Sequence, residues 1–305
     1  MFNIGLDIGG TKTEIQVFDS SGLGIYKRRE ATCKTSYDEF TQHIVAMIHS
    51  AESTLDHPCN LGICLPGSID PSTGLIKNSN ILVINQHPFQ HDLEEIFQRP
   101  VSISNDANCF TLSEAVDGAG QDAHSVFGVI LGTGCGGGYV VNHQLQQGKN
   151  GNCGEWGHIP LPHYRESVDG PSVSCYCGQL NCIESFISGT GINRQLTYHY
   201  GYPVDSVTFF NQLLQNQNKL ASQCFERFQD QLARCFAMLI NLLDPDVIVI
   251  GGGLSNVPQL FDGINQRIGQ YTFGHYHNTP IRTAVHGDSS GIRGAAWLGR
   301  QHNDQ

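Results

Sequence analysis

Ile4-Gly5-Leu6-Asp7-Ile8-Gly9-Gly10-Thr11-Lys12-Thr13-Glu14-Ile15-Gln16-Val17-Phe18 sets a short apolar strand carrying one carboxylate against a second strand in which polar and apolar residues alternate, with a glycine turn between them. Alternation with a period of two on either side of a glycine turn reads as a β-hairpin. The theme returns at Phe127 to Leu131, where Gly132-Thr133-Gly134-Cys135-Gly136-Gly137-Gly138 leads into Tyr139-Val140-Val141. A third turn, Gly251-Gly252-Gly253, follows the fully apolar run Val247 to Ile250. Glycine lets the backbone approach an anion closely and threonine adds a hydroxyl donor, so such turns cradle phosphates. None of them matches the P-loop pattern or a Rossmann fingerprint. Asp7, just ahead of the first turn, is placed either to hold Mg²⁺ through water or merely to cap the turn.

Around these turns the pattern alternates between strand and helix. Tyr37, Phe40, Ile44, Met47 and Ile48 stand at helical spacing within residues 36–55, strands are expected at 61–65 and 101–103, and a helix at 109–115. Phe225, Phe228, Leu232, Phe236, Leu239 and Leu243 predict a buried helix over 222–243, and 291–298 a last helix returning to the N-terminal part. The class is therefore α/β. With 305 residues and no linker, two tightly joined lobes with a cleft are expected: 1–117 together with the helix 289–305, and 118–288.

Composition excludes several functions. The formal net charge of −11 argues against nucleic acid or an anionic membrane as partner. Charged residues make up 15%, against about 25% in an average chain, and the 35 glycines concentrate in a few loops. The first residues show neither a basic region nor an apolar core of a signal peptide. A cytoplasmic protein with its eleven cysteines reduced is the expectation.

Two further clusters carry chemistry. Asp106 follows a strand and is flanked by Asn105 and Asn108. A carboxylate there suits a general base for a hydroxyl proton, with the amides gripping other hydroxyls, although Asn-Asp-Ala-Asn is also an ordinary helix N-cap. Cys175, Cys177 and Cys182 lie in one polar loop with His158 upstream. Three thiols and one imidazole make a closed, structural tetrahedral Zn²⁺ site, the alternatives being a disulfide or a redox switch. A metal ordering this loop would also fix Glu155 and Glu184, which are suited to pairs of sugar hydroxyls but equally read as solvated surface groups.

Asp7-Ile-Gly-Gly-Thr11-Lys12, Asn105-Asp106-Ala-Asn108, Gly132-Thr133-Gly134, Glu155-Trp-Gly-His158, the three cysteines with Glu184, and Gly251-Gly252-Gly253 occur in this order in the ROK family of repressors, open reading frames and kinases, which this chain resembles from Gly5 to Trp297. The resemblance implies a two-lobed actin/hexokinase-like (ribonuclease H-like) ATPase fold, with ATP and sugar meeting in the interlobe cleft, and a structural zinc loop. It implies Asp106 as catalytic base, Asn80, Asn105, Glu155, His158 and Glu184 as sugar ligands, and Asp7, Gly9, Gly10, Thr11, Lys12, Gly132, Thr133, Gly134, Gly252, Gly253 and Asn256 as the ATP and Mg²⁺ side. His158 would place one ring nitrogen on zinc, beside Cys175, Cys177 and Cys182, and turn the other to the sugar. Such kinases commonly form homodimers.

Within the family, Pro66 to Asn80 and the ending Gly287 to Trp297 resemble bacterial fructokinases that also accept mannose. The expected activity is thus phosphorylation of the fructose 6-hydroxyl. An N-acetylhexosamine kinase is the alternative, and a non-catalytic sugar-sensing or repressor-type protein is the alternative of another class. One departure stands out: many relatives carry a Trp shortly after the position of Asn80, where this chain has Val83.

Overall fold

The computed structural model describes residues 2–55, 59–201, 206, 209–210 and 219–301. The opening hairpin forms as β1 (Asn3–Ile8) and β2 (Lys12–Phe18), paired antiparallel with Asp7 opposite Glu14. β3 (Gly24–Ala31) extends the sheet on one side, and β4 (Asn60–Cys64) and β7 (Val101–Ser104) extend it in parallel on the other, giving the order β3-β2-β1-β4-β7. β5 (Ser68–Ile69) and β6 (Ile76–Lys77) form a small separate hairpin.

The alternation sorts the two faces of this first sheet. Ile4, Leu6, Ile8, Ile15 and Val17 are buried against Phe40, Ile44, Met47 and Ile48 of α1 (Tyr37–Glu52), which Ser36 caps by accepting from the Glu39 N–H, and against Phe89 and Leu93 of α2 (Phe89–Phe97). On the opposite face lies the C-terminal helix Ser290–Arg300. It lies so close that a Cβ on Gly5 would come within 2.0 Å of the Ile292 carbonyl oxygen, and one on Gly62 within 1.8 Å of that of Ala295. A strand glycine costs about 0.5–1 kcal/mol. Each fully buried Ile, Leu or Phe in the cluster contributes about 1.5–3 kcal/mol, so packing wins.

A second five-stranded sheet has the order β10-β9-β8-β11-β12, from β8 (Ser125–Leu131), β9 (Cys135–Val141), β10 (Gln144–Leu145), β11 (Val247–Gly251) and β12 (Ile281–Thr283). Third-second-first-fourth-fifth is the order in both sheets, so the echo between the two Gly-Thr turns is an echo of topology. The helix Lys219–Leu243 buries Phe228, Leu232, Phe236 and Leu239. Leu243, expected in that buried stripe, is instead exposed at the helix end, where the chain is already turning toward β11.

Two compact units result: Met1–Gly128 with Gly138–Gly154 and Val285–Gln305, and Val129–Gly137 with Glu155–Ala284. The first therefore takes in segments that the sequence assigns elsewhere, 118–128, 138–154 and 285–288. For 118–128 and 285–288 the reason is Glu114 on α3 (Asp106–Asp117), whose side chain is completely buried. Its carboxylate accepts from the backbone N–H groups of Ala119, Val285 and His286 at 2.9–3.0 Å, binding both chain segments to the helix. Residues 302–305 of the expected last helix lie outside the described residues. Among the described residues, no helix is long and apolar enough to cross a membrane.

Candidate active site

In the first unit the expected residues gather at the carboxyl ends of β1 and β7. The turn after β1 is held by the Gly9 N–H donating to the Lys12 carbonyl at 2.9 Å and by the Thr32 hydroxyl donating to the Gly9 carbonyl at 2.7 Å. The Asn80 carboxamide lies against it, its oxygen 3.6 Å from where a Cβ of Gly10 would stand. Asp7 is in register with Cys64 on β4. Burial raises its carboxyl above the ordinary value, the Cys64 thiol opposes that shift by donating to it, and the neighbouring Asp106 charge adds to it. Room for this carboxylate is left by Gly291, where a Cβ would meet Asp7 Oδ2 at 3.1 Å.

Asn105 and Asp106 divide the two roles that their sequence allows. Asn105 is the N-cap of α3, its side-chain oxygen accepting from the Asn108 N–H at 2.8 Å. Asp106 is the first helical residue and stays exposed, with Oδ1 accepting from the adjacent Ala107 N–H at 2.9 Å. Helix-capping thus falls to the amide and leaves the carboxylate presented.

In the second unit, the Gly132–Gly134 turn closes with the Gly132 N–H donating to the Gly134 carbonyl at 3.0 Å. It abuts the start of the helix Gly189–Tyr200: the Gly189 N–H donates to Gly132 O at 2.8 Å, and the Thr190 hydroxyl to Thr133 O at 2.9 Å. Glu184 reaches the same turn, accepting from the Cys135 N–H at 2.9 Å. Trp156 pins the Glu155-to-His158 segment by donating from its indole nitrogen to the Gly136 carbonyl at 2.9 Å. Gly252, at φ 83°, packs on the end of β8, a Cβ there coming within 2.5 Å of Leu131 O, while Gly253 and Asn256 are exposed beside it.

The ligand atoms of His158, Cys175, Cys177 and Cys182 all lie within 4.8 Å of one another. Cys177 and Cys182 sulfurs are 3.6 Å apart, as are Cys175 Sγ and His158 Nδ1. Tetrahedral zinc with Zn–S near 2.3 Å has ligand edges of about 3.8 Å, so the donor set and its size fit that ion. The Gln179 backbone N–H chiefly, together with the flanking thiols, lowers the Cys177 thiol, whereas burial pushes the Cys182 thiol up. One contact was not legible in the sequence. Tyr176, between two of the cysteines, brings its hydroxyl to 3.0 Å from His158 Nε2, edge-on to the ring. The nitrogen that the resemblance turns toward sugar is engaged by a phenol here, and the middle residue of a Cys-x-Cys pair gives no signal of this.

The fold and the order of these residues define a class that comparison confirms: the ROK family model matches residues 3–302, and the chain belongs to that family. The ROK hexokinase of Thermus thermophilus has the same fold, with a TM-score of 0.87 at 28% identity, covering 100% of this chain and 99% of that one. Among curated relatives, the N-acetyl-D-glucosamine kinase of Pectobacterium atrosepticum is 37% identical over 297 residues, 96% of this chain and 97% of the relative. That of Haemophilus influenzae is 36% identical over 298 residues, 96% and 98%.

These relatives overturn the fructose assignment. One segment that carried it, Pro66 to Asn80, contains the small hairpin of β5 and β6. Asp70 accepts from the Ser72 N–H at 2.9 Å and the Ser72 hydroxyl at 2.6 Å, and pairs with Lys77 at 3.3 Å. Asp70, Ser72 and Lys77 therefore report on the turn and not on the sugar. Val83 packs against the hydrophobic core of the first unit.

Proposed function

We propose that this chain is an ATP-dependent kinase of N-acetylglucosamine, transferring the γ-phosphoryl group to the 6-hydroxyl. The observation that carries the reading is the likeness to N-acetyl-D-glucosamine kinases across nearly the whole of both chains. Asp106 takes the hydroxyl proton as general base, and its exposure at the start of α3 supports that role. Asn80, Asn105, Glu155 and Glu184 orient the sugar, and His158 joins them once its Nε2 exchanges the Tyr176 hydroxyl for a sugar hydroxyl. The backbone donors of the three glycine turns, with Thr11, Lys12, Thr133 and Asn256, hold the nucleotide. Phosphoryl transfer asks little covalent help of a protein, so positioning and charge neutralisation carry most of the catalysis. Asp7 binds Mg²⁺ through water, and the ion neutralises phosphate charge when bound. Cys175, Cys177, Cys182 and His158 hold Zn²⁺, which supplies no chemistry to the reaction and orders the loop that precedes Glu184.

The test is ADP release with Mg·ATP over N-acetylglucosamine, N-acetylmannosamine, glucose, mannose and fructose. The highest kcat/KM is expected on N-acetylglucosamine. A clear preference for an unacetylated sugar overturns the substrate, and no release with any sugar overturns the kinase. Asp106→Asn should lower kcat at least ~100-fold, the scale of general-base catalysis. Near-full turnover by that variant would remove Asp106 from the role.

A further inference from the structure

The two ring nitrogens of His158 face different partners. Nδ1 lies 3.6 Å from Cys175 Sγ, on the side where the four metal ligands converge, and Nε2 lies 3.0 Å from the Tyr176 hydroxyl. A neutral imidazole that gives Nδ1 to a metal carries its proton on Nε2. That N–H is then a donor, and the phenol oxygen accepts from it. A sugar hydroxyl at this nitrogen would accept in the same way, so the phenol stands in chemically for the sugar.

Tyr176 is also free to leave. Its ring meets His158 edge-on, with centroids 5.1 Å apart, and the residue is 82% exposed. The backbone around it is fixed: the Cys175 N–H donates to the Gln179 carbonyl at 2.8 Å, and the Gly178 N–H to the Cys175 carbonyl at 3.0 Å. Departure is therefore a change of side-chain rotamer, fast for an exposed residue and independent of any loop movement. Desolvation above all, and then the charges of Glu184 and Glu155, hold the phenol's proton in place. Those two carboxylates are among the groups proposed for the sugar, and Tyr176, His158, Glu155 and Glu184 all belong to the second unit.

We propose that Tyr176 is a tethered competitor of the sugar: its hydroxyl holds His158 Nε2 in the empty enzyme and has to give it up before a sugar hydroxyl can bind. The inference rests on the sugar-kinase reading above, with His158 as a sugar ligand. Apparent affinity is reduced by the fraction of molecules that are competent to bind, and the phenol lowers that fraction. While no sugar is present, the same contact keeps the Nε2 donor satisfied and the imidazole turned toward the metal, as the hydrogen-bonded partner of a metal-bound histidine does. Tyr176 thus tunes how tightly the sugar is held without contributing a bond to it.

The experiment titrates N-acetylglucosamine calorimetrically into the zinc-loaded enzyme without nucleotide, for the unmodified chain, Tyr176→Phe and Tyr176→Ala. Phenylalanine keeps the ring and loses the hydroxyl, alanine loses both, and an exposed position tolerates either. The Kd should fall about 3- to 10-fold in both variants, the range spanned by the net worth of one hydrogen bond. A second readout follows zinc transfer to a chromogenic chelator. Without sugar, zinc should leave Tyr176→Phe at least ~3-fold faster than the unmodified chain, and saturating sugar should remove the difference. Equal release rates without sugar overturn the proposal. So does an unchanged Kd, and so does a Kd that rises, because the hydroxyl would then hold the sugar and not compete with it. Failure of the parent reading looks different: the unmodified enzyme then binds no hexose at all, and this proposal falls with it. Sugar binding that is indifferent to Tyr176 sinks the competitor alone and leaves the kinase standing.

Discussion

The two Gly-Thr turns, Gly9–Lys12 and Gly132–Gly134, follow equivalent strands in sheets of equivalent order, yet each acquires its carboxylate differently. The first takes Asp7 from its own strand, two residues ahead, and is braced by Thr32 and Asn80 nearby. The second takes Glu184 from a distant loop, through the bond from the Cys135 N–H, and leans on the start of the helix Gly189–Tyr200. One turn is a local construction, and the other is assembled from afar. Function at the first should therefore answer to single residues, and function at the second to whatever keeps its remote loop in order.

The largest effect should come at the local turn. Asp7→Asn is expected to lower kcat at least ~100-fold, the scale on which preorganised charge contributes to catalysis. The same change should raise the melting temperature at pH 7. Burial lifts the folded-state pKa of Asp7 above 3.8, so the native protein carries a penalty that is absent below that value and grows as pH rises through the raised one. Thermal melts at pH 7 and pH 4 check this: the gain should shrink toward the acid end, and a variant no more stable at pH 7 would break the account of Asp7 as a desolvated charge.

At the remote turn the expected effects are smaller and reach beyond one residue. Glu184→Gln keeps an acceptor for the Cys135 N–H and loses only the charge, so the sugar KM should rise about tenfold, worth about 1.4 kcal/mol. Glu184→Ala also releases the turn and should raise the KM for ATP. Withdrawal of zinc by a chelator should mimic the alanine variant, because Cys182 stands two residues before Glu184. If chelation leaves both KM values unchanged, the loop does not depend on the metal. The smallest effect belongs to Thr32→Val, which removes the hydroxyl bonded to Gly9 O and Thr13 and should cost about 1 kcal/mol of stability. A chemical-denaturation curve measures it.

The same contrast explains how far the sequence could be read. The opening hairpin and the helix of 222–243 were legible because period and turn chemistry act within a few residues. Asn105 and Asp106 were legible as a pair, but which of them caps the helix depends on a bond from the Asn108 N–H that both residue types can accept. Glu114 gave no sign of its role, since a glutamate in a helix reads as solvated; it is buried because backbone donors from far along the chain converge on it. The sugar was misread for a physical reason too. Pro66 to Asn80 resembles a substrate signature, but Asp70, Ser72 and Lys77 within it are occupied with one another.

The glycines that admit the C-terminal helix onto β1 and β4 have a consequence for how the chain is made. The ribosome delivers the opening hairpin well before that helix, and until the helix arrives the Gly5 and Gly62 face of the first sheet lacks the element that packs on it. Residues 129–284 are delivered in between, so the first unit to start folding is the last that can finish. During synthesis at about 5–20 residues per second, an open sheet therefore waits while the intervening residues are made, exposed to aggregation and to the quality-control machinery that nascent chains meet. A truncation ahead of Ser290 would leave most of the site residues present and that wait without an end.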